Sequence, residues 1–156
     1  MRVGQGIDVH AFRDDATRPL ILGGVVVPDS PGLAGHSDAD VVTHALIDAM
    51  LGAAGLGDLG RHFPSSDPSL EGVSSLVMLE QVLVKLSDAQ WVLTSGDVSI
   101  VAQTPRLERH LDAMSVVLSE KAHCVISVKA TTTDHLGFIG QGQGIAAMAV
   151  VLLEER

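Results

Sequence analysis

The sequence predicts a single α+β domain over residues 1–156, with a mixed sheet of about four strands and helices on one face of that sheet. Its length suits one domain. Its apolar content of 46% supports a core that buries roughly two-thirds of the unfolded chain's surface. Apolar runs typical of strands alternate with segments of helical spacing, in the order strand, strand, helix, helix, strand, helix, strand, strand.

The first elements are extended. Residues 2–10 predict a strand, and Gly4 and Gly6 leave one of its faces flat because they carry no side chain. Residues 19–28 contain two short apolar runs around a pair of glycines, which is typical of a hairpin or a bulged strand.

Two helices follow. The first is predicted from Ser37 to about Ala54, with Gly55 as the C′ residue that ends it. Residues 55–69 are rich in Gly, Pro, Ser and Asp and predict a loop. Residues 72–88 carry apolar side chains at helical spacing and predict the second helix.

The rest of the chain returns to strands. We expect a strand at 97–103, a helix at 106–122, a strand at 124–130, a loop at 131–144 and a last strand at 145–153. These strands are almost continuously apolar, most of all the last one. Both faces of the sheet should therefore be covered, one by helices and the other by a second subunit.

Composition excludes several classes of protein. A net charge of −9 argues against a nucleic-acid surface, because phosphates need a Lys/Arg stripe. The single cysteine, Cys124, excludes disulfide scaffolds and thiolate zinc clusters and suits a reducing cytosol. The start MRVGQGIDVH has no signal or transit pattern, and no apolar run reaches about 18 residues. We therefore expect a cytoplasmic protein without a membrane span.

A metal site is predicted where the first strand meets the first helix. Asp8 and His10 lie two residues apart on a strand, so they face the same side, either as a hydrogen-bonded pair or as metal ligands. His44 lies one helical turn from Asp40 and from Asp48, and we expect Asp48 to hold its second ring nitrogen. If Asp8, His10 and His44 meet, they form a two-histidine, one-carboxylate site with an open position, typical of catalytic zinc.

Other polar residues near this helix have a structural interpretation. Ser37 and Asp40 fit a capping pattern, and Asp38 and Asp40 suit the positive end of the helix dipole. We expect these three residues to build the helix entry.

Two later segments suit phosphate groups. Residues 130–134 and the glycines that follow them offer hydroxyls, backbone N–H groups and the Asp134 carboxylate, whose chemistry suits Mg²⁺. Residues 102–107, AQTPRL, join a strand to a helix, and Arg106 can face a phosphate there. An ordinary strand end and an ordinary strand–Pro–helix turn explain the same residues.

Together these motifs resemble one family, the 2-C-methyl-D-erythritol 2,4-cyclodiphosphate synthases of the non-mevalonate isoprenoid pathway. The segments that carry the resemblance are RVGQGIDVHAF, LILGGVVVP, GLAGHSDADVVTHALIDAMLGAAGLGDLG, FPSSDP, VSIVAQTPRL and VKATTTDHLGFIGQGQGIA. They cover most of the chain in the family's order.

The resemblance implies a homotrimer with active sites between subunits, and a phosphorus–oxygen lyase. This enzyme would convert 4-diphosphocytidyl-2-C-methyl-D-erythritol 2-phosphate to the 2,4-cyclodiphosphate and release CMP, without an organic cofactor. Asp8, His10 and His44 fall on the family's zinc ligands. His36 and Thr132 fall on its catalytic positions, and Asp134 falls on a Mg²⁺ or Mn²⁺ ligand that is usually Glu.

The resemblance also implies a set of substrate contacts. Those near the metal and the methylerythritol phosphate are Asp8, Val9, His10, His36, Ser37, Asp58, Leu59, Gly60, Phe63, Pro64, Ser65, Ser66 and Asp67. Those of the cytidine-diphosphate pocket and its neighbourhood are Ala102, Gln103, Thr104, Pro105, Arg106, Leu107, Thr131, Thr132, Thr133, Asp134, Phe138 and Gln141.

The chain departs from the family's commonest pattern at a few places. Asp134 replaces Glu, and Gln141 replaces Arg. Ser65 and Ser66 replace Asp-Thr, and Ala39 replaces Gly. These changes affect the second metal and the substrate loop, and they leave the zinc triad intact.

Two other classes of protein fit the same residues. One is a different metal-dependent phosphotransferase or phosphodiesterase acting on a nucleotide-linked substrate, which would yield a linear diphosphate or free phosphate. The other is a non-enzymatic trimer that binds nucleotides for regulation, in which His36 and Thr132 have no catalytic part.

Overall fold

The computed structural model describes residues 1–15 and 17–156. Its strands are β1 (Arg2–Ala11), β2 (Pro19–Leu22), β3 (Val25–Pro31), β4 (Trp91–Val101), β5 (Val125–Thr131) and β6 (Gly144–Glu155). Its helices are α1 (Val41–Ala54), α2 (Leu59–His62), α3 (Ser75–Asp88), α4 (Leu111–Ala122) and α5 (Gly137–Gly140), with 3₁₀ turns at Pro68–Leu70 and Glu108–His110.

Four strands form one mixed sheet, in the order β1-β6-β4-β5. Strand β6 pairs antiparallel with both β1 and β4, whereas β4 and β5 are parallel. The helix α4 makes the crossover between the parallel pair, as a parallel connection requires. Strands β2 and β3 form a separate antiparallel hairpin. The predicted α+β class and the four-stranded mixed sheet are confirmed.

The helix α1 lies directly against β1 because two glycines allow it. A Cβ atom added at Gly4 would lie 2.0 Å from the carbonyl oxygen of Ala49, and one at Gly6 would lie 2.1 Å from that of Ala45. No side chain fits in that space, so the glycines let the helix approach the strand. This close contact places His44, on α1, beside the side chains at the end of β1.

The helices cover one face of the sheet, and the apolar core lies between them. Side chains of alternate residues on β6, such as Ile145, Ala147 and Ala149, are fully buried under the helices. The opposite face of β1 and β6 carries Ile7 and Val150, which are 55% and 48% exposed in the single chain. The outer face is therefore apolar and open in one subunit.

Several predicted boundaries differ from the structure. Helix α1 begins at Val41 instead of Ser37, because Asp40 is its N-cap. Strand β4 begins at Trp91, six residues before the predicted position 97. The predicted loop at 55–69 contains the short helix α2 and the start of a 3₁₀ turn. None of the helices described, over residues 1–15 and 17–156, is long and apolar enough to cross a membrane.

Candidate metal centre and substrate cavity

The entry of α1 is fixed by a buried carboxylate. Asp40 is fully buried and accepts hydrogen bonds from the backbone N–H groups of Val42 and Thr43, which begin the helix. It also accepts from the Thr43 hydroxyl and from the N–H groups of Gly23 and Gly24 in the β2–β3 turn. Asp40 thus ties the hairpin to the helix that carries His44, and its predicted capping role is confirmed.

The predicted triad meets in space. The Nε2 atom of His10 lies 2.8 Å from Asp8 Oδ2, and the Nδ1 atom of His44 lies 3.0 Å from the same oxygen. One ligand atom from each of the three residues lies within 4.8 Å of the other two. His44 is buried and the other two are partly buried, so the group sits at the base of an opening instead of on the open surface.

The remaining ring nitrogens show that this arrangement fits a cation. His10 Nδ1 faces the carbonyl oxygen of Ala34, to which it can only donate a proton. His44 Nε2 faces the Ser75 hydroxyl at 2.8 Å and that of Ser37 at 3.2 Å. When the His10 ring is neutral, its Nε2 atom therefore directs a lone pair at the Asp8 carboxylate. A proton or a metal ion between these two electron-rich atoms is needed to make the contact favourable. Histidines that ligate metals characteristically have their second nitrogen held in this way.

The pKa shifts of Asp8 and His10 also fit a site for a cation. Burial opposes the charged form of Asp8, but hydrogen bonds from His10 and His44 outweigh it and hold the pKa of Asp8 well below its usual range. Burial also opposes protonation of His10, yet the hydrogen bond and the charge of Asp8 raise the pKa of His10. Asp8 is therefore an ionised carboxylate at neutral pH, and its charge favours the protonated form of His10.

The predicted role of Asp48 is wrong. Its carboxylate accepts a hydrogen bond from the backbone N–H of Leu59, which anchors the start of α2. The partner of His44 Nε2 is Ser75, at the start of α3, which the sequence did not suggest. Asp38 accepts a hydrogen bond from the N–H of Asp40, as expected for the entry of α1. It also accepts from the hydroxyl and the N–H of Ser75 at the start of α3, which the sequence did not suggest.

A cavity of about 160 Å³ opens beside the triad. Predicted residues that line it are Asp8, His10, His36, Ser37, His44, Leu59, Phe63 and Ser65. Leu70, Val73 and Met78 add an apolar wall. Asp58 and Gly60 line an adjoining cavity of about 230 Å³, which also contacts Asp8 and His44. The structure thus brings the metal residues and the 58–65 segment together.

His36 is tied to the predicted substrate loop. Its Nε2 donates to the carbonyl oxygen of Asp67 at 2.9 Å, since a carbonyl only accepts. The Asp67 carboxylate in turn accepts from the backbone N–H and the hydroxyl of Ser69. The loop and the histidine that faces the cavity are therefore held as one unit.

A second cavity, of about 410 Å³, lies at the ends of β4 and β5. It is lined by Ala102, Gln103, Pro105, Arg106, Leu107, Glu108, Leu111, Ala130, Thr131 and Thr132. The N–H of His135 donates to the side-chain oxygen of Gln103, which joins the loop after β5 to the segment after β4.

The predicted catalytic residues His36 and Thr132 lie in separate cavities of one chain. His36 lines the cavity beside the triad, whereas Thr132 lines the second cavity. Over residues 1–15 and 17–156, the linings of both cavities leave out Thr133, Asp134, Phe138 and Gln141. Asp134 is exposed in the loop after β5, with its N–H donating to the Thr132 hydroxyl.

Fold and site together define a class: α+β proteins in which a carboxylate and two imidazoles are placed for a metal ion beside a small-molecule cavity. Comparison with known proteins gives the family. The model of the YgbB family matches residues 1–154, and the chain belongs to this family.

Named relatives agree over nearly the whole chain. The chain is 50% identical to the 2-C-methyl-D-erythritol 2,4-cyclodiphosphate synthase of Alkalilimnicola ehrlichii, over 98% of this chain and 94% of that protein. A solved synthase of this name in its CDP-bound form is 33% identical, with a TM-score of 0.87 over 98% of this chain and 100% of that one. The bifunctional IspDF of Campylobacter jejuni is 39% identical with a TM-score of 0.93, and the alignment covers 99% of this chain but only 42% of that one.

Proposed function

We propose that this protein converts 4-diphosphocytidyl-2-C-methyl-D-erythritol 2-phosphate to 2-C-methyl-D-erythritol 2,4-cyclodiphosphate and CMP, in the non-mevalonate pathway of isoprenoid synthesis. It is an enzyme of the phosphorus–oxygen lyase class. The observation that carries the proposal is the convergence of His10, His44 and Asp8 beside a cavity that also holds His36 and the 58–65 segment. Membership of the YgbB family supports it over residues 1–154.

Charge is the main obstacle to this reaction. An oxygen of the 2-phosphate attacks the β-phosphorus, and the bond from that phosphorus to the oxygen it shares with the α-phosphate breaks, so CMP leaves. Two unit charges about 4 Å apart repel by about 4 kcal/mol at an effective dielectric constant of 20. The chain itself has a net charge of −9, so it needs positive charge from bound metal ions.

Asp8, His10 and His44 would hold Zn²⁺. When bound, this ion supplies positive charge to the phosphoryl oxygens and polarises the phosphorus. The residues supply the rest: Ala34 and Ser75 hold the second ring nitrogens, so that the ligand atoms face one point. Little base catalysis is required, because the attacking phosphate oxygen is already ionised.

His36 would act on the reacting phosphates from the cavity. With Nε2 donating to Asp67, its Nδ1 is the nitrogen left for the substrate. That nitrogen would donate to a phosphate oxygen when it carries a proton. The loop contact fixes the ring position, which reduces the cost of orienting it during the reaction.

The second cavity would take the cytidine diphosphate. Its volume of about 410 Å³ lies in the usual range of ligand pockets, and Arg106 supplies a charge suited to a phosphate. The CDP-bound form of a synthase with the same fold supports this assignment. Asp134, near Thr132, would bind Mg²⁺ or Mn²⁺ together with phosphate oxygens, as carboxylates commonly do.

A homotrimer would complete the site. One chain holds the triad and Thr132 in separate cavities, and the outer face of β1 and β6 is apolar and exposed. Packing three such faces together would bury the apolar residues and set the nucleotide cavity of one subunit against the triad of the next. The enzyme would work in the cytoplasm.

Replacing His44 with alanine tests the proposal. We expect loss of both bound zinc and CMP release, measured by metal analysis and by chromatography of the reaction mixture. His123→Asn is the matched control, because His123 is an exposed histidine in the left-handed conformation that Asn tolerates. Retention of zinc and of CMP release in His44→Ala would refute the assignment of the triad.

A further inference from the structure

The ring of His44 is held by a chain of hydrogen bonds that begins at Asp38. Oxygens of the Asp38 carboxylate accept from the Ser75 hydroxyl and from the Ser75 backbone N–H. The Ser75 oxygen lies 2.8 Å from His44 Nε2. Ser75 is fully buried and His44 is 6% exposed, so water competes little for these contacts.

The direction of each bond follows from the donors and acceptors available. A carboxylate only accepts, so the single hydroxyl proton of Ser75 points to Asp38. The Ser75 oxygen is then an acceptor toward His44, which requires the proton on Nε2. In a neutral ring Nδ1 is left with its lone pair, and Nδ1 is the atom that faces Asp8 Oδ2.

We propose that Ser75 and Asp38 are positioning residues that set the tautomer and orientation of His44, so that Nδ1 is the nitrogen presented to the metal. This inference rests on the proposed function only in taking Asp8, His10 and His44 as the metal ligands. It assigns a function to Ser75, which begins α3 and lies 31 residues along the chain from His44.

The alternative is that Ser75 and Asp38 serve only to cap α3. Asp38 does accept from the Ser75 N–H, as a capping carboxylate would. That contact needs no hydroxyl at position 75, however. The two roles are therefore separated by Ser75→Ala, which keeps the N–H contact and removes the nearer of the two hydroxyl oxygens that face His44 Nε2; the other, of Ser37, lies at 3.2 Å.

The first experiment measures zinc affinity by competition with a chromophoric chelator. We expect Ser75→Ala to weaken zinc binding by about 10- to 100-fold, the usual effect of removing a group that orients a ligand. Ser74→Ala is the matched control, because Ser74 is exposed and its side chain makes no capping bond. Circular dichroism and urea unfolding of both variants check that α3 is intact. Affinity of a folded Ser75→Ala within twofold of the wild type would overturn the proposal.

The second experiment needs no variant. Two-dimensional ¹⁵N–¹H spectra of the zinc-loaded wild-type protein distinguish the two nitrogens of His44. We expect the proton on Nε2 and the metal on Nδ1; a proton on Nδ1 would overturn the proposal even if Ser75→Ala fails to fold. CMP release by the wild type is measured in parallel. Its absence would refute the proposed function, while the spectra would still decide the tautomer.

Discussion

Replacing Gly6 with alanine should move His44, on α1, away from Asp8 and His10, on β1. The added Cβ would lie 2.1 Å from the carbonyl oxygen of Ala45 and 2.5 Å from the backbone nitrogen of Ala49, both on α1. Ordinary contact begins at 3.4 Å, so relief of the closer clash requires a shift of 3.4 − 2.1 = 1.3 Å. Backbone atoms cannot rotate away, so the helix as a whole must retreat from β1.

His44 precedes Ala45 and moves with the helix. Metal sites tolerate ligand displacements of only about 0.2 Å, and a misplacement of about 1 Å typically costs 100-fold in rate. We therefore expect Gly6→Ala to lose at least about 100-fold in zinc affinity and in kcat/KM for CMP release. Overpacking should also lower the free energy of unfolding by about 1–3 kcal/mol, which leaves a typical domain folded at 25 °C.

The helix offers a matched control. Gly52 also lies on α1, but a Cβ added there meets no atom within 4 Å. Gly52→Ala should raise the free energy of unfolding by about 0.5–1 kcal/mol and leave zinc affinity unchanged. Chelator competition, urea unfolding and the CMP assay are run on both variants. A folded Gly6→Ala with wild-type zinc affinity would show that the close contact of α1 with β1 does not set the triad.

Three further predictions concern pH, the helix entry and the outer face. Zinc affinity should fall as the pH drops below neutral, because the raised pKa of His10 lets a proton displace the metal. Isothermal titration calorimetry with zinc between pH 6 and 8.5 measures this, and a constant affinity would contradict the prediction. Asp40→Ala should lower the free energy of unfolding by about 3 kcal/mol, because five hydrogen bonds to a buried carboxylate are lost; a loss below about 1 kcal/mol in urea unfolding would be inconsistent with that role. Ile7→Asp should convert the proposed trimer to monomers, as measured by sedimentation. Val116→Asp is the control and should leave the trimer intact, because Val116 is equally exposed at 55% but lies on α4. An unchanged trimer in Ile7→Asp would place the interface elsewhere.

Local periodicity indicated the three residues of the candidate metal site, and the structure shows that they meet. Asp8 and His10 share a face because strand side chains alternate. His44 is one of the few polar residues on a helix that is otherwise almost entirely apolar. The glycines of β1 indicated a flat face, and the structure shows that α1 occupies it. The resemblance to a family added the roles of residues that the patterns alone left open.

The supporting contacts could not be predicted, because they join residues distant in sequence. Ser75 reaches His44 from another helix, and Ala34 reaches His10 from the segment after β3. The spacing that favoured Asp48 as a partner of His44 places the two on one stripe of the helix but does not fix where each side chain points. The helix start was misplaced because Ser37 and Asp40 both suit an N-cap. The structure decides between them, because the N–H groups of Val42 and Thr43 donate to Asp40.

One departure that the resemblance implied has a counterpart in the backbone. Ala39 was expected to replace a glycine, and its φ angle is 57°, in the left-handed region that favours glycine. The backbone conformation thus gives a physical reason for a glycine at this position. The chain keeps this turn because Ala39 is fully buried and the bonds of Asp40, next to it, hold the backbone in place.

³¹P NMR of the reaction of the wild-type protein with the cytidylyl substrate, in the presence of Zn²⁺ and Mg²⁺, tests the proposed chemistry. Attack by the 2-phosphate on the β-phosphorus predicts equal amounts of CMP and the 2,4-cyclodiphosphate, with turnover lost after chelation and restored by added metal. A linear diphosphate or inorganic phosphate as the product would assign the site to another phosphotransferase or phosphodiesterase. No turnover by a zinc-loaded protein would contradict the proposed activity.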